Sequence, residues 1–294
     1  FALVPIWNFF GLDAGLLAGI LAIDMGGYQL AGELSASQEM VRYAGLVIAA
    51  TLGCTITFTI PVGMGMLKSG DRLLFSRGML IGTGTLPVTM IVGGLLSGLS
   101  FLQIVLQSLP VLLFCFLLMF GIWRFPEQTV RAFTVFADVI RLLTTIGLIA
   151  GAFCYMTGFS LLPDLAPLED AMAVVSSIGI VLLGSLPTAE LLQRVLKKPL
   201  SFIGRKTGMN DSSAAGLLMG IVSPVPAITM MEKMDERGKI VNAAFLVSAA
   251  STIAAHMGFT FGTDPDFVVP LLVAKLAGGI AAVCAALFFT KKSA

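Results

Sequence analysis

Long apolar runs separated by short polar clusters are the dominant pattern along this chain. Residues 41–66, 77–97, 101–123, 132–157, 168–186, 240–261 and 267–289 each predict an apolar helix near the ~20 residues a bilayer core requires. An aromatic connector (1–13) precedes them, and an amphipathic stretch (187–198) and a polar loop (199–212) fall between. Two segments depart from this pattern. Residues 14–33 begin as a small-residue helix, stop at Asp24-Met25-Gly26-Gly27 and resume through Tyr28 and Gln29. Adjacent glycines favour broken helical geometry, and a carboxylate at membrane depth marks a candidate functional site. The plain alternative is a surface turn between two short helices. Residues 213–223 form a second short segment, ended by Ser223-Pro224-Val225-Pro226, and Gly184-Ser185-Leu186-Pro187 has the look of a weaker interruption.

Basic residues give the orientation, because cytoplasmic loops accumulate Lys and Arg. Lys68, Arg72 and Arg77 mark one cytoplasmic loop, Arg124 and Arg131 another, and Arg194, Lys197, Lys198, Arg205 and Lys206 a third. Lys291 and Lys292 put the tail inside, while the acidic stretches 164–170 and 262–266 fall outside. The loop with Lys233, Arg237 and Lys239 is then also inside, so 213–232 begins and ends in the cytoplasm as a re-entrant hairpin. Counting back from Lys68 makes 14–33 a hairpin entering from the external side, with Asp24 to Gly27 at its tip. Of the 18 basic residues, only Arg42 lies in an external loop, and Arg141 and Lys275 fall within spans.

An internal repeat agrees with this. Residues 14–59 align without a gap to 215–260, with Ala14 to Leu17, Gly19, Ile20, Ala49, Thr51, Phe58 and Thr59 identical to their counterparts. An odd number of spans (41–66, 77–97, 101–123, 132–157 and 168–186) separates the hairpins, so the copies have opposite topology. Inverted repeats built on broken helices point to a secondary transporter's binding site near the midplane. The expectation is an all-α polytopic membrane protein with transporter-like inverted repeats. It forms a single domain over 1–294, with repeat cores at 14–66 and 213–262.

Composition narrows the picture further. The chain is 57% hydrophobic and 12% charged, with a mean hydropathy of +0.96. A soluble domain carries about 25% charged residues. A net charge of +1 without a basic stripe argues against a nucleic-acid partner. Cys54, Cys115, Cys154 and Cys284 lie in apolar segments without C-x-x-C spacing, so neither a disulfide framework nor a metal site follows. No H-E-x-x-H, G-x-S-x-G or Walker sequence occurs, and nothing implies an enzyme or a cofactor.

Asp24 is the only carboxylate at an expected hairpin tip and suits a small cation, an amine or a coupling ion. Met25, Gly26, Gly27 and Gln29 share its broken turn, where freed backbone groups line a cavity. Tyr28 offers an aromatic face for a cation or an interfacial anchor. Ser223, Pro224 and Pro226 form the second tip. Thr55, Thr57, Ser223 and Thr229 offer hydroxyls, unless each bonds back to its own helix. His256, the single histidine, aligns with Thr55 and is either a packing residue or a site residue conferring pH dependence. Asp138 and Arg141 are spaced to pair on one helix face. Lys275 either snorkels or pairs with Asp24 or another acid.

The segments IDMGGYQLAGEL (23–34), TFTIPVGMG (57–65), TTIGLIAG (144–151), VLLGSLP (181–187) and MMEKMDERGKIVNAAFLVSAA (230–250) resemble the EutH-type ethanolamine permeases of ethanolamine-utilisation operons. The resemblance implies a multi-pass protein of the bacterial cytoplasmic membrane that imports ethanolamine, with lipid as its surroundings. It leaves open proton or sodium coupling and homo-oligomer formation, and an ion-coupled carrier for another small amine, a sensor or a non-transporting subunit remain as alternatives. Members of that family carry further N-terminal membrane segments, so the chain is expected to lack a copy of its 132–198 region. In that family an acidic residue often precedes the histidine. Here Ala255 does, which shifts weight onto Asp24.

Overall fold

The computed structural model describes the chain apart from residues 1–3, 21–23, 160–166, 196–197, 199–201, 203, 205 and 291–294. The described residues form helices and no strand. In chain order these are α1 (Val4–Phe9), α2 (Leu16–Ile20), a 3-10 turn at Asp24–Gly26, α3 (Gly27–Leu34), α4 (Gln38–Met66), α5 (Ser69–Leu96), α6 (Phe101–Arg124) and α7 (Pro126–Thr157). They continue with α8 (Leu168–Val195), α9 (Asp211–Val222), α10 (Pro224–Met230), α11 (Glu236–Ala249), α12 (Ala255–Thr263) and α13 (Val268–Phe289). Among the described residues, α4, α5, α6 and the helix Pro265–Phe289 are long and apolar enough to cross a membrane, and shorter apolar helices accompany them. The protein is an all-α polytopic membrane protein.

Local chemistry sets the helix ends. Ser100 and Gln103 form a reciprocal capping box that opens α6 after the turn at Gly98, whose φ of +98° suits glycine. Gly158, at φ +70°, closes α7. Small residues then allow close helix packing, the usual membrane solution where apolar burial drives little association. Gly78 and Gly82 of α5 lie against the backbone carbonyls of Ile240 and Ala244 in α11, and Gly278 of α13 lies against Thr89 and Ser248. These contacts make α5 and α11 parallel, and Arg237 donating to Leu287 O at the other end makes α13 antiparallel to both.

Both short segments are hairpins. In the first, Gly27 returns beside Ala18 and Gly15 lies beside Ser35, so α2 and α3 run antiparallel with Asp24 at the tip. Asp13 ties its mouth by accepting from Gly15 N at 2.8 Å and Ala36 N at 3.0 Å. Asp13 N in turn donates to Gln107 Oε1, in the first half of α6. In the second, α9 and α10 reverse at Ser223, and Asp235 holds the mouth by accepting from Asn210 N at 2.9 Å and Ser213 Oγ at 2.6 Å. This mouth lies beside the start of α5, through Lys239–Asp71 at 2.6 Å and Lys68–Glu232 at 2.9 Å. Since α5 and α6 are successive helices joined by a tight turn, the two mouths open at opposite ends of the bundle. The order helix, break, helix recurs in both, followed by the long helix α4 in the first and by α11 and α12 in the second.

Two expectations are corrected. The span expected over 240–261 is interrupted: α11 ends at Ala249 and α12 begins at Ala255, with Ser251 at φ +55° between them. No proline or glycine announces that break. Instead Ser251 N and Ile253 N donate to Gly220 O and Ile221 O at the end of α9, replacing intrahelical bonds with tertiary ones. The interruption expected at Gly184 to Pro187 is absent, because α8 runs through Pro187 from Leu168 to Val195. Arg42, the exception in the charge pattern, forks onto Asp264 at 2.6 and 2.9 Å. The Asp138–Arg141 pairing lies outside the described residues, since the Arg141 side chain is not among them.

Candidate functional site

The first tip rests on α4. Asp24 takes φ +52°, a left-handed conformation that aspartate tolerates better than most residues, and starts the 3-10 turn that leads into α3. Gly27 is buried, and even a Cβ would fit only tightly between Ala49 and Ala18, while Gly45 meets the backbone of Tyr28. Under this contact α4 winds as a π-helix over Tyr43–Gly53 and Thr55–Thr59. Such wide winding concentrates at functional sites because it displaces carbonyls from their regular partners.

His256 comes from the far side. It lies in the first turn of α12, directly after the 250–254 break, and is 2% exposed. Its Nδ1 lies 3.0 Å from Ala250 O and its Nε2 lies 3.3 Å from Asp24 Oδ1. A carbonyl can only accept, so Nδ1 carries a hydrogen. Nε2 then bonds to Asp24 in one of two ways: it is protonated and donates, or Asp24 is protonated and donates to it. Either bond requires one proton beyond the separate carboxylate and neutral imidazole. The carboxylate that Ala255 does not supply to this histidine arrives from the other hairpin.

Two further groups complete the surroundings. The Cys54 thiol, Asp24 carboxylate and His256 imidazole have ligand atoms within 4.8 Å of one another, the one grouping among the described residues close enough to share a metal ion. The ammonium of Lys275, 0% exposed, donates to Ala50 O at 2.7 Å, one helical turn from Cys54. A positive charge there would oppose a divalent metal and balance the Asp24 carboxylate. Cys54 was not expected from sequence, where it reads as one more apolar residue, and the Lys275 partner was undecided.

The remaining expected residues divide. Met25 lines a closed crevice with Ala50, His256, Phe259 and Thr260. Tyr28 packs edge to face on Phe259 at 6.2 Å and its hydroxyl accepts from Gln38 Nε2 at 3.2 Å. Thr55 is buried and donates to Val247 O at 3.2 Å, joining α4 to α11, and Thr57 and Thr229 bond back to their own helices. Gly26 and Gln29 are exposed. Ser223 is half-buried at the second tip without a side-chain cap, Pro224 is buried and Pro226 half-buried. Their helix α10 runs on to pack against Ile60–Met66, the opposite end of α4 from the Gly45 to Ala49 surface that carries the first tip. The element that meets Asp24 is the first turn of α12, set by the 250–254 break that Gly220 and Ile221 hold, rather than the Pro224 to Pro226 stretch.

Above the pair, Gln38 Nε2 also reaches Asp264 Oδ2 at 3.4 Å, beside the Arg42–Asp264 fork. Tyr28, Gln38, Asp264 and Arg42 thus form one polar network beside the pair, in which Asp24 keeps 30% of its side chain exposed. Asp264 ends α12, two turns from the histidine.

A family model described as "Ethanolamine utilisation protein, EutH" matches residues 1–289. A protein of Listeria monocytogenes named probable ethanolamine permease EutH is 38% identical over 290 residues, covering 98% of this chain and 78% of its own length. An Escherichia coli protein of the same name is 34% identical over 315 residues, covering 99% and 77%. An uncharacterized Bacillus subtilis protein, YxeR, is 32% identical over 287 residues, covering 97% and 78%. No solved structure matches. With the family match running nearly end to end over a helical bundle that pairs a tip aspartate with a buried histidine, this chain belongs to the EutH ethanolamine utilisation protein family.

Proposed function

We propose that this protein is a permease that carries ethanolamine, as its ammonium, across the bacterial cytoplasmic membrane. The observation that carries the reading is the Asp24–His256 pair, where one broken hairpin meets the break beside the other. The permease names of the relatives supply the substrate class, and the geometry supplies a site chemically suited to it.

Ethanolamine is protonated at neutral pH, like a lysine head group. Its ammonium carries donors and no acceptor, so it needs acceptors in a dry site. Asp24 Oδ1 and His256 Nε2 are two such atoms, but only once the pair has released its proton. With Nδ1–H fixed on Ala250 O, the unprotonated Nε2 points its lone pair at the carboxylate, and an ammonium donating to both removes that repulsion. The arriving ammonium therefore displaces one proton: pair-H plus RNH3+ gives pair·RNH3+ plus H+. Of the coupling ions left open by the sequence, a proton moving opposite to the amine fits this arrangement.

The crevice at Met25, Ala50, His256 and Phe259 is packed too tightly to admit even a water-sized molecule, and the Tyr28–Gln38–Asp264–Arg42 network covers it externally. We infer an occluded arrangement that opens by alternating access, with the hairpins and their broken helices moving against α5 and α13.

Radiolabelled ethanolamine uptake into proteoliposomes tests this. Saturable uptake above empty liposomes supports the permease. Saturable binding without accumulation indicates a sensor, and neither binding nor uptake returns the substrate to another small solute.

A further inference from the structure

The largest cavity among those described lies far from Asp24 and His256. Where α4 ends and α5 begins, and where α6 ends and α7 begins, the four helix termini enclose about 580 Å³. These connections carry Lys68 and Arg124, so this is the arginine- and lysine-rich end of the bundle, the cytoplasmic one by the charge rule.

The lining is amphipathic. Arg72 and Arg77 enter from α5 and Arg131 from α7, against one carboxylate, Glu127. Arg72 uses its Nε on Leu67 O at 2.9 Å, which leaves its terminal nitrogens pointing elsewhere. Arg77 and Arg131 are exposed and make no hydrogen bond or ion pair among the described residues. The rest of the wall is apolar: Trp123 is 71% exposed and Leu73 66% exposed at this position. A tryptophan beside arginines at a helix terminus suits the level of lipid head groups, where one side is apolar and the other wet.

This set excludes the amine substrate, which three guanidinium groups would repel. It suits a phosphate joined to hydrocarbon: arginine forks match phosphate oxygens bidentately, and exposed Leu73 and Trp123 match acyl chain. Basic pockets between membrane helices on the cytoplasmic side have this character. We propose that the cavity binds the head group of an anionic phospholipid from the cytoplasmic leaflet, with Arg77 and Arg131 on the phosphate. Because Pro61, Met64 and Gly65 of α4 line the same cavity, a bound lipid would steady the inner end of the helix that carries Cys54 and Thr55.

The test uses detergent-purified full-length protein, with phosphatidylglycerol, phosphatidylcholine or inorganic phosphate as probe, read by native mass spectrometry and by melting temperature. Phosphatidylglycerol should remain bound as a discrete adduct and raise the melting temperature, while phosphatidylcholine and phosphate do neither. The R77Q/R131Q double variant should bind phosphatidylglycerol about thirtyfold more weakly, two charges lost. Glu127→Gln, which removes the opposing charge, should bind it more tightly and keeps the proposal testable if the double variant folds poorly. Equal retention of both lipids, unchanged retention in R77Q/R131Q, or weaker retention in Glu127→Gln would overturn the proposal. Phosphate matching phosphatidylglycerol would also overturn it, in favour of a free-anion site.

Discussion

Asp24 and His256 lie 232 residues apart in sequence, and their Oδ1 and Nε2 atoms meet at 3.3 Å. The aspartate is held by a left-handed tip pressed onto a π-wound helix, and the histidine by a helix break pinned to α9. Neither element is stable alone. Each borrows backbone hydrogen bonds or packing from its neighbour, as irregular backbone at membrane depth must.

The proposed proton displacement predicts that ethanolamine binding depends on pH. While the pair holds its proton, each unit rise in pH should tighten apparent binding about tenfold, levelling off once the pair has lost it. Isothermal titration calorimetry in buffers of different ionisation enthalpy should report about one proton released per ethanolamine bound. Binding independent of pH, without proton release, would remove the exchange mechanism while leaving the site.

Lys275 places a second positive charge near the same carboxylate. Lys275→Met removes the charge that balances the Asp24 carboxylate and leaves that carboxylate uncompensated, so the melting temperature should fall. Ethanolamine should then bind about tenfold more tightly, because a like charge has gone. Weaker binding would instead make Lys275 part of the substrate's own hydrogen-bonding set.

In the proposed orientation the Arg42–Asp264 fork closes the external side. Breaking it with Arg42→Gln should cost about 1.5–3 kcal/mol of stability, the usual range for hydrogen bonds to charged groups. A cysteine introduced at Met25 in that variant should react faster with an external thiol reagent than in the parent. Equal reactivity would show that the outer cover lies elsewhere.

Asp235 ties the second hairpin's mouth. Burial alone would raise its carboxyl, but hydrogen bonds from Ser213, Asn210 and Gly238 outweigh that and hold it below the ordinary carboxylate range. A depressed folded-state value gives stability that is present above the unfolded-state value and lost as pH falls through the folded one. Acid melting curves should therefore show a steeper loss of stability for the parent than for Asp235→Asn. At neutral pH, Asp235→Ala should cost about 1 kcal/mol as a lost helix cap. Parallel acid profiles would contradict this.

Much of this arrangement was legible in the sequence because it rests on local signals. Paired glycines after Asp24, the S-P-V-P stop and the basic loops define the hairpins, and the gap-free self-match relates them. The break at 250–254 was not legible, since its residues are alanine, serine, threonine and isoleucine and the bonds that hold it open come from Gly220 and Ile221. That break decides the site's composition: it aims His256 at Asp24, while Pro224 and Pro226 lead α10 toward the other end of α4. Pro187 misled for the converse reason. A proline signals a break, yet α8 passes through it as membrane helices often do when neighbouring groups satisfy the freed carbonyl. Cys54 was invisible because nothing in an apolar run distinguishes a thiol facing a carboxylate from one facing a leucine.

The most direct test of the central claim is ethanolamine uptake by proteoliposomes carrying Asp24→Asn beside the parent. The amide keeps the size of the carboxylate and loses its charge, so the variant should fold with a similar melting temperature. Saturable uptake should fall at least a hundredfold, since a desolvated ammonium is left without its counter-ion. Uptake equal to the parent's would contradict the account and place the substrate away from Asp24 and His256.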